Sequence, residues 1–165
     1  MPTIEKFVSE HRSCRTSADA HGVMSATWDT YWTCVSFSYW RAQYGDALVE
    51  LTIDARSRQL IDLTIEVPDL TATSGGTVSP FPRQVSSGTP VFALEGFSQT
   101  LTAPLELEAD WRCDDATFTL ESGPSVAVDF RRDGPVVFGS DQDGSLRYLS
   151  VSFQSETVCS ERRGS

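Results

Sequence analysis

Apolar and acidic residues alternate through the middle of this chain, and this pattern constrains the fold more than any other feature. Residues 46–130 contain 14 Asp and Glu residues against 4 Lys and Arg residues, which accounts for the whole net charge of −10. Within 101–111 every odd position is apolar, whereas Glu106, Glu108 and Asp110 stand at even positions. Because successive side chains of a β-strand point to opposite faces, we expect a sheet with one apolar face on a core and one acidic face.

Further strands are predicted by the same period of two. Segments 47–53 and 60–67 flank a short polar connection and are expected to form a hairpin in which Val49, Leu51 and Ile53 face the core. The dipeptides Asp133-Gly134 and Asp143-Gly144 favour tight hairpin turns. The other predicted strands are 31–40, 99–111, 116–121, 125–130, 136–138 and 146–153.

One helix is predicted, at the N-terminus. Ile4, Phe7, Val8 and His11 follow the i, i+3, i+4, i+7 spacing of an amphipathic helix, with Thr3 as its N-cap. Residues 13–27 are small and polar without a clear period, so no element is predicted there, whereas 68–90 hold four of the eight prolines and are expected to be a loop.

These elements predict a mainly β or α+β fold in one domain, residues 1–165. The expected architecture is an antiparallel sheet of about seven to nine strands, forming a sandwich or a partly open barrel, with a short N-terminal helix. A chain of this length can bury a sizeable core.

The sequence indicates a cytoplasmic protein. No apolar run reaches the length that crosses a bilayer, and the N-terminus lacks a basic segment followed by an apolar one. The four cysteines, Cys14, Cys34, Cys113 and Cys159, are widely spaced and are expected to be reduced in that compartment, with disulfides as the alternative.

No catalytic, metal or cofactor site is predicted. His11 and His21 are the only histidines, and their spacing to Cys14 and Cys34 matches no zinc motif. The segment 141–145 resembles part of a calcium loop but lacks the required first and last ligands, and no nucleophile elbow or phosphate-binding loop is present. Paired acids such as Glu106 and Glu108 stand beside many others, which favours ionised, hydrated carboxylates over general acid–base pairs. The excess of acid also disfavours binding to nucleic acid or to an anionic membrane surface.

The hairpin sequence 48–54 and 60–65, with the later segments 126–130 and 143–149, resembles the small acidic immunity proteins of bacterial polymorphic toxin systems, including those of contact-dependent growth inhibition. The resemblance implies a cytoplasmic protein that binds one cognate toxin domain and blocks it without chemistry of its own. These families are diverse, so no functional residue can be transferred from them.

An acidic surface would be attracted to the basic cleft of a nuclease-type toxin, and this favours a protein partner. An exposed aromatic residue beside carboxylates is typical of a binding hot spot. The predicted partner-binding residues are Glu50, Asp54, Asp62, Glu66, Glu106, Glu108, Asp110, Trp40 and Tyr44. The alternative is a small-molecule-binding β-barrel or sandwich whose aromatic residues line an interior apolar cavity above ~300 Å³. An enzyme without a recognisable catalytic set and another kind of interaction module also stay open, and the sequence does not indicate an oligomeric state.

Overall fold

Two six-stranded sheets share one apolar core in the computed structural model, which describes residues 1–10, 12–68, 78–114, 117–123 and 125–153. The strands of the described residues are β1 Ile4–Val8, β2 Cys14–Ala18, β3 Val23–Trp28, β4 Phe37–Tyr44, β5 Ala47–Asp54, β6 Leu60–Glu66, β7 Ser86–Ser87, β8 Thr89–Phe92, β9 Leu105–Glu106, β10 Ala109–Asp114, β11 Thr117–Ser122, β12 Asp129–Asp133, β13 Val136–Ser140 and β14 Leu146–Ser152. A 3-10 helix spans Asp29–Thr33.

Sheet 1 has the strand order β2-β3-β6-β5-β4-β9, and sheet 2 has the order β10-β11-β14-β13-β12-β7. The pair β1-β8 forms a separate ribbon that is hydrogen-bonded to both sheets: the amide of Phe92 donates to the carbonyl of Arg58, and the amide of Ile4 donates to the carbonyl of Gly144. The sheets do not close into a barrel, and the arrangement is a β-sandwich.

The described helix is too short and too polar to cross a membrane.

The predicted hairpin and both predicted glycine turns are confirmed. Strands β5 and β6 pair antiparallel, with Val49 opposite Ile65 and Leu51 opposite Leu63, all buried. Gly134 and Gly144 adopt φ of 60° and 82°, the positive values that such turns require and that glycine adopts without a steric cost.

The predicted N-terminal helix is wrong, because Ile4–Val8 is strand β1. Its partner is β8, with Ile4 opposite Phe92 and Val8 opposite Thr89, and a register shift follows Ile4. The backbone groups of β1 are therefore paired with a strand more than 80 residues away, which local spacing cannot reveal. His11, the last residue of the predicted helical pattern, lies outside the described residues.

Several predicted loop and strand boundaries also differ. Residues 13–27, for which no element was predicted, contain β2 and most of β3. Strand β7 and the beginning of β8 lie within the predicted loop 68–90, of which 69–77 are outside the described residues. The predicted strand 31–40 is instead the end of the 3-10 helix, a short connection and the beginning of β4. With fourteen strands, the described part of the chain has more and shorter strands than expected, since β7 and β9 have two residues each.

A buried ion pair joins the two sheets. Arg12 forms an ion pair with the carboxylate of Asp133, and the two side chains are only 5% and 4% exposed. Arg12 Nη1 also donates to the carbonyl of Leu60 at 2.7 Å, and Trp28 Nε1 donates to Asp133 Oδ1 at 3.3 Å. The guanidinium lies 5.2 Å from the centre of the Trp28 ring, an added cation–π contact. The pair thus connects β3 and β6 of sheet 1 with β12 of sheet 2.

The turn between β13 and β14 is organised by a buried carboxylate. Asp141 accepts hydrogen bonds from the amides of Asp143 and Ser145, both at 3.0 Å, and from Arg147 Nε at 2.8 Å. Burial alone would raise the pKa of Asp141, but these hydrogen bonds outweigh it and hold the pKa below its usual value.

Asp141 is therefore expected to stabilise the fold most above pH 4. Because the folded-state pKa is lower than the unfolded value of ~3.9, its contribution is complete above that value and disappears as the pH falls through the folded pKa. Asp141→Asn should reduce the free energy of unfolding at neutral pH, and in strong acid the free energies of the variant and the parent protein should become equal. Urea unfolding at several pH values measures both. Equal destabilisation at both ends of the range would contradict this account.

Candidate partner-binding face

Four of the predicted carboxylates, Glu50, Asp54, Asp62 and Glu66, lie on the outer face of sheet 1, and we call them the acidic face. Cross-strand register places them on the side opposite the core, since Leu51 and Leu63 of the same strands are fully buried. Their alternation within one hairpin is as predicted from the sequence.

The carboxylates of the acidic face influence one another. Glu50 is paired with Arg41 Nε at 2.9 Å on the neighbouring strand. Even so, the pKa of Glu50 is raised, chiefly by burial and further by the negative charges of Asp62 and Glu66, against the effect of Arg41. Glu66 is exposed. A cation brought to this face would therefore relieve repulsion that the protein alone leaves in place.

Two of these acids also have structural partners. Asp62 accepts hydrogen bonds from Thr27 Oγ1 at 2.5 Å and from Thr64 Oγ1 at 3.1 Å, although burial still raises its pKa. Asp54 accepts hydrogen bonds from the amides of Arg56 and Ser57 in the β5–β6 turn. These bonds outweigh burial and lower the pKa of Asp54, so this carboxylate stays ionised but is largely occupied by the turn.

The other three predicted acids lie apart from these four. Glu106 points to the same side of sheet 1, paired with Gln43, but it lies in the edge strand β9, which β4 separates from β5, and Glu108 follows it on an exposed connection. Asp110 belongs to β10 of sheet 2, opposite Glu121. The chain crosses from one sheet to the other between β9 and β10, so an alternation that continues in sequence does not continue on one surface. Leu105, expected in the core, is paired with the buried Ala42 in this short edge strand and is 53% exposed.

Trp40 and Tyr44, predicted to contact a partner, lie in the core instead. They are 4% and 2% exposed and occupy the inward positions of β4, where Trp40 is opposite Leu51. Burial raises the pKa of Tyr44, and its hydroxyl lies 3.0 Å from Met1 Sδ. Neither side chain is available to a partner while this packing persists.

A different set of aromatic residues reaches the surface next to the acidic face. Ring centroids are separated by 5.1 Å between Tyr31 and Trp32, by 5.5 Å between Tyr31 and Phe37, and by 6.4 Å between Phe37 and Tyr39. Phe37 and Tyr39 stand opposite Asp54 and Thr52 on β5, and Trp32 is 76% exposed. We call these four residues the aromatic cluster.

The sequence did not predict this cluster, because residues 31–40 were interpreted as one continuous strand with side chains alternating between two faces. The 3-10 helix interrupts that alternation, so Trp32 and Trp40, expected on one face, are separated into surface and core. A sequence signal for the helix was present, since an acidic residue, Asp29, stands at its first position, where acidic side chains are favoured.

A groove of about 600 Å³ lies on the outer face of sheet 2. Its floor includes Phe130 and Tyr148, whose rings pack edge to face at 5.5 Å, and Gly139 lies against both because a Cβ there would be within 3 Å of each. One wall is held by Glu121, which accepts hydrogen bonds from the amide of Ser79 at 2.7 Å and its hydroxyl at 2.9 Å. The groove exceeds the expected cavity size, but it is open and lies outside the sandwich rather than between the sheets.

The described residues contain no cluster of three or more His, Cys, Asp and Glu side chains placed to hold a metal ion. Cys14 and Cys34 are free thiols, Cys113 is buried, and Cys159 lies outside the described residues. Burial, followed by the charge of Asp133, raises the pKa of Cys14 to about 12, so this thiol is a poor nucleophile at neutral pH. The reduced state of all four cysteines stays a prediction.

No protein-family model matches this chain, and no curated protein shows significant similarity to it.

Proposed function

We propose that this protein is a cytoplasmic immunity protein that binds a basic, nuclease-type toxin domain through the acidic face of sheet 1. The observation that carries the proposal is the meeting of four carboxylates on adjacent strands with the exposed aromatic cluster at the end of the same face. Carboxylates supply long-range attraction and orientation, whereas an exposed Trp supplies the contact area that hot spots use.

The energetics of the face favour a cationic partner. Glu50 and Asp62 are partly desolvated, and the charges of Asp62 and Glu66 act against ionisation of Glu50, whereas Arg41 neutralises only Glu50. Lys or Arg side chains of a partner would replace that repulsion with attraction, and desolvation on binding would strengthen each new pair.

Inhibition requires no chemistry from this chain. A nuclease must hold a polyanion in a basic cleft. An acidic sheet face bound over that cleft would pair with the Lys and Arg residues that bind the nucleic acid, and the substrate would be excluded. The face is presented by a rigid six-stranded sheet, which limits the conformational entropy lost on binding.

Reversing the charge of Glu66 tests the proposal. Glu66→Lys is expected to slow association with the cognate toxin domain by about tenfold at low salt, because electrostatic steering acts on the encounter rate. The effect should shrink as salt rises and the Debye length shortens. Glu108→Lys is the matched control, since Glu108 is also exposed but lies off the acidic face. Stopped-flow or surface-based kinetics at several salt concentrations measures both.

Two outcomes would overturn this assignment. A larger effect of Glu108→Lys than of Glu66→Lys would move the interface to the β9–β10 connection. Failure of the parent protein to rescue the growth of cells that express the toxin domain would remove the immunity function itself.

The second candidate function is small-molecule binding, favoured by the 600 Å³ groove on sheet 2. Its volume lies within the ~300–1,000 Å³ range of ligand sites, and aliphatic residues such as Pro80 and Val126 line it together with Arg83 and Glu121. Native mass spectrometry of the purified protein distinguishes the two functions, because a retained small molecule is expected only for the ligand binder.

A further inference from the structure

A shallow depression of about 200 Å³ lies on the β2–β3 half of the outer face of sheet 1, next to the exposed indole of Trp32. We call it the Trp32 cradle; it is lined by Arg15, Thr16, Ser17, Ser25, Thr27, Asp29 and Trp32. Cross-strand register brings these groups together, since Arg15 is opposite Thr27 and Ser17 is opposite Ser25. Trp32 stands above them on the 3-10 helix that follows β3.

The polar groups of the cradle fall into two classes. Ser17 and Ser25 bond to each other at 2.7 Å, and Thr27 donates to Asp62, so these hydroxyls are partly occupied. Within the described residues, the guanidinium of Arg15 and the carboxylate of Asp29 have no hydrogen bond or ion pair. The cradle therefore offers free donors, free acceptors and a bare aromatic face within one small volume.

We propose that the Trp32 cradle binds a single neutral sugar ring, a hexopyranose unit. A pyranose has one face of C–H groups, which carry slight positive charge and suit the negative face of an indole. Its rim of hydroxyls can donate to Asp29 and accept from Arg15, as the inventories of these side chains require. The depression is smaller than a drug-sized site, which fits one ring rather than a larger ligand.

Other ligand classes fit the cradle less well. A simple anion would be attracted by Arg15 but repelled by Asp29, and a simple cation would meet the reverse. An apolar ligand would strip water from hydroxyls and ions without replacing their hydrogen bonds, which is costly. The cradle shares Trp32 with the aromatic cluster of the proposed toxin interface, but its polar groups lie on β2, β3 and the 3-10 helix, whereas the carboxylates of the acidic face lie on β5 and β6.

The indole N–H signals of the four Trp residues give a direct test. Trp28, Trp40 and Trp111 are at most 4% exposed, whereas Trp32 is 76% exposed, so a sugar at the cradle should shift the Trp32 signal alone. The probes are the methyl glycosides of glucose, galactose, mannose and N-acetylglucosamine, and linear oligosaccharides of the same sugars, titrated against ¹⁵N-labelled protein. Tighter binding of the oligosaccharides would identify a polysaccharide as the source, and equal affinities would identify a free sugar.

Two variants separate recognition from folding. Trp32→Ala is expected to weaken binding of the responding sugar at least tenfold, and Asp29→Asn several-fold, with the indole signals of Trp28, Trp40 and Trp111 unmoved. Because Trp32→Ala lacks the reporting indole, the backbone amide signals of the cradle residues on β2 and β3 measure binding in this variant. Val35→Ala is the matched control, because Val35 is 96% exposed, lies near Trp32 in sequence and does not line the cradle. Absence of a Trp32 shift with every saccharide would overturn the proposal. So would undiminished affinity in Trp32→Ala, or a shift caused by a zwitterionic amino acid and by no sugar. The sugar titrations of the parent protein and of Asp29→Asn are read without the toxin, and growth rescue is read without a sugar, so this proposal and the immunity function fail separately; Trp32→Ala alone is expected to affect both.

Discussion

Replacing Asp133 with Asn is expected to destabilise the fold by about 3–5 kcal/mol, because it leaves the buried charge of Arg12 without a counter-ion. Asp133 is also the acceptor for Trp28 Nε1, so one substitution weakens contacts that connect both sheets. Urea unfolding followed by Trp fluorescence measures the change, and a lower midpoint with an unchanged slope is the expected form.

An exposed ion pair on the same strand provides the control. Asp129 pairs with Arg131 at 2.8 Å, but the two side chains are 44% and 34% exposed, so Asp129→Asn should cost at most about 1 kcal/mol. Combining Arg12→Met with Asp133→Leu should recover much of the lost stability, since removing both charges removes the desolvation penalty. Similar small losses for Asp133→Asn and Asp129→Asn would show that the pair is not buried in solution.

Gly22→Ala is expected to cost about 3 kcal/mol, from backbone strain together with a steric clash. Gly22 has a φ of 82°, and a Cβ at this position would lie 2.1 Å from the carbonyl oxygen of Val67. The amide of Val67 donates to the carbonyl of Gly22 at 3.0 Å, so relief of the clash would break the contact that joins the β2–β3 turn to the end of β6.

Gly45→Ala separates the two contributions to that cost. Gly45 has a φ of 59°, but a Cβ there meets nothing within 4 Å, so only the backbone strain of about 1–2 kcal/mol is expected. The difference between the two thermal midpoints therefore measures the clash at Val67. Equal losses of stability for both variants would mean that the β2–β3 turn moves away without cost.

The sequence predicted most reliably those strands whose partner is the next strand along the chain. In the β5–β6 hairpin, bulky aliphatic residues alternate with polar ones, so a local pattern and the real contact coincide. Strands β2 and β3 also alternate, with Met24, Ala26 and Trp28 buried, but the outward residues are small and the hydrophobic contrast is weak. Strand β1 was missed for another reason, since both its partner and its burial are set by a distant segment.

The difference between local and distant contacts also explains which residues of the candidate site were predicted correctly. Glu50, Asp54, Asp62 and Glu66 were placed correctly relative to one another because they belong to one hairpin. Residues 101–111 have an equally clear alternation, yet they contribute to two sheets, since nothing in a local pattern marks where a chain changes layer. The exposure of Trp32 likewise depends on a 3-10 helix that alternation alone does not predict.

Strand β10 forms one edge of sheet 2, and its sequence bears on whether copies of this chain can join into a continuous sheet. Asp110, Arg112 and Asp114 point outward on it, with acids on either side of one base. If two copies paired antiparallel about Arg112, each Asp110 would stand opposite an Asp114, and the two Arg112 side chains would face each other. Like charges directly opposite destabilise such pairs, so the charges of this edge disfavour self-pairing in the register centred on Arg112, while its backbone stays open to a strand of different sequence.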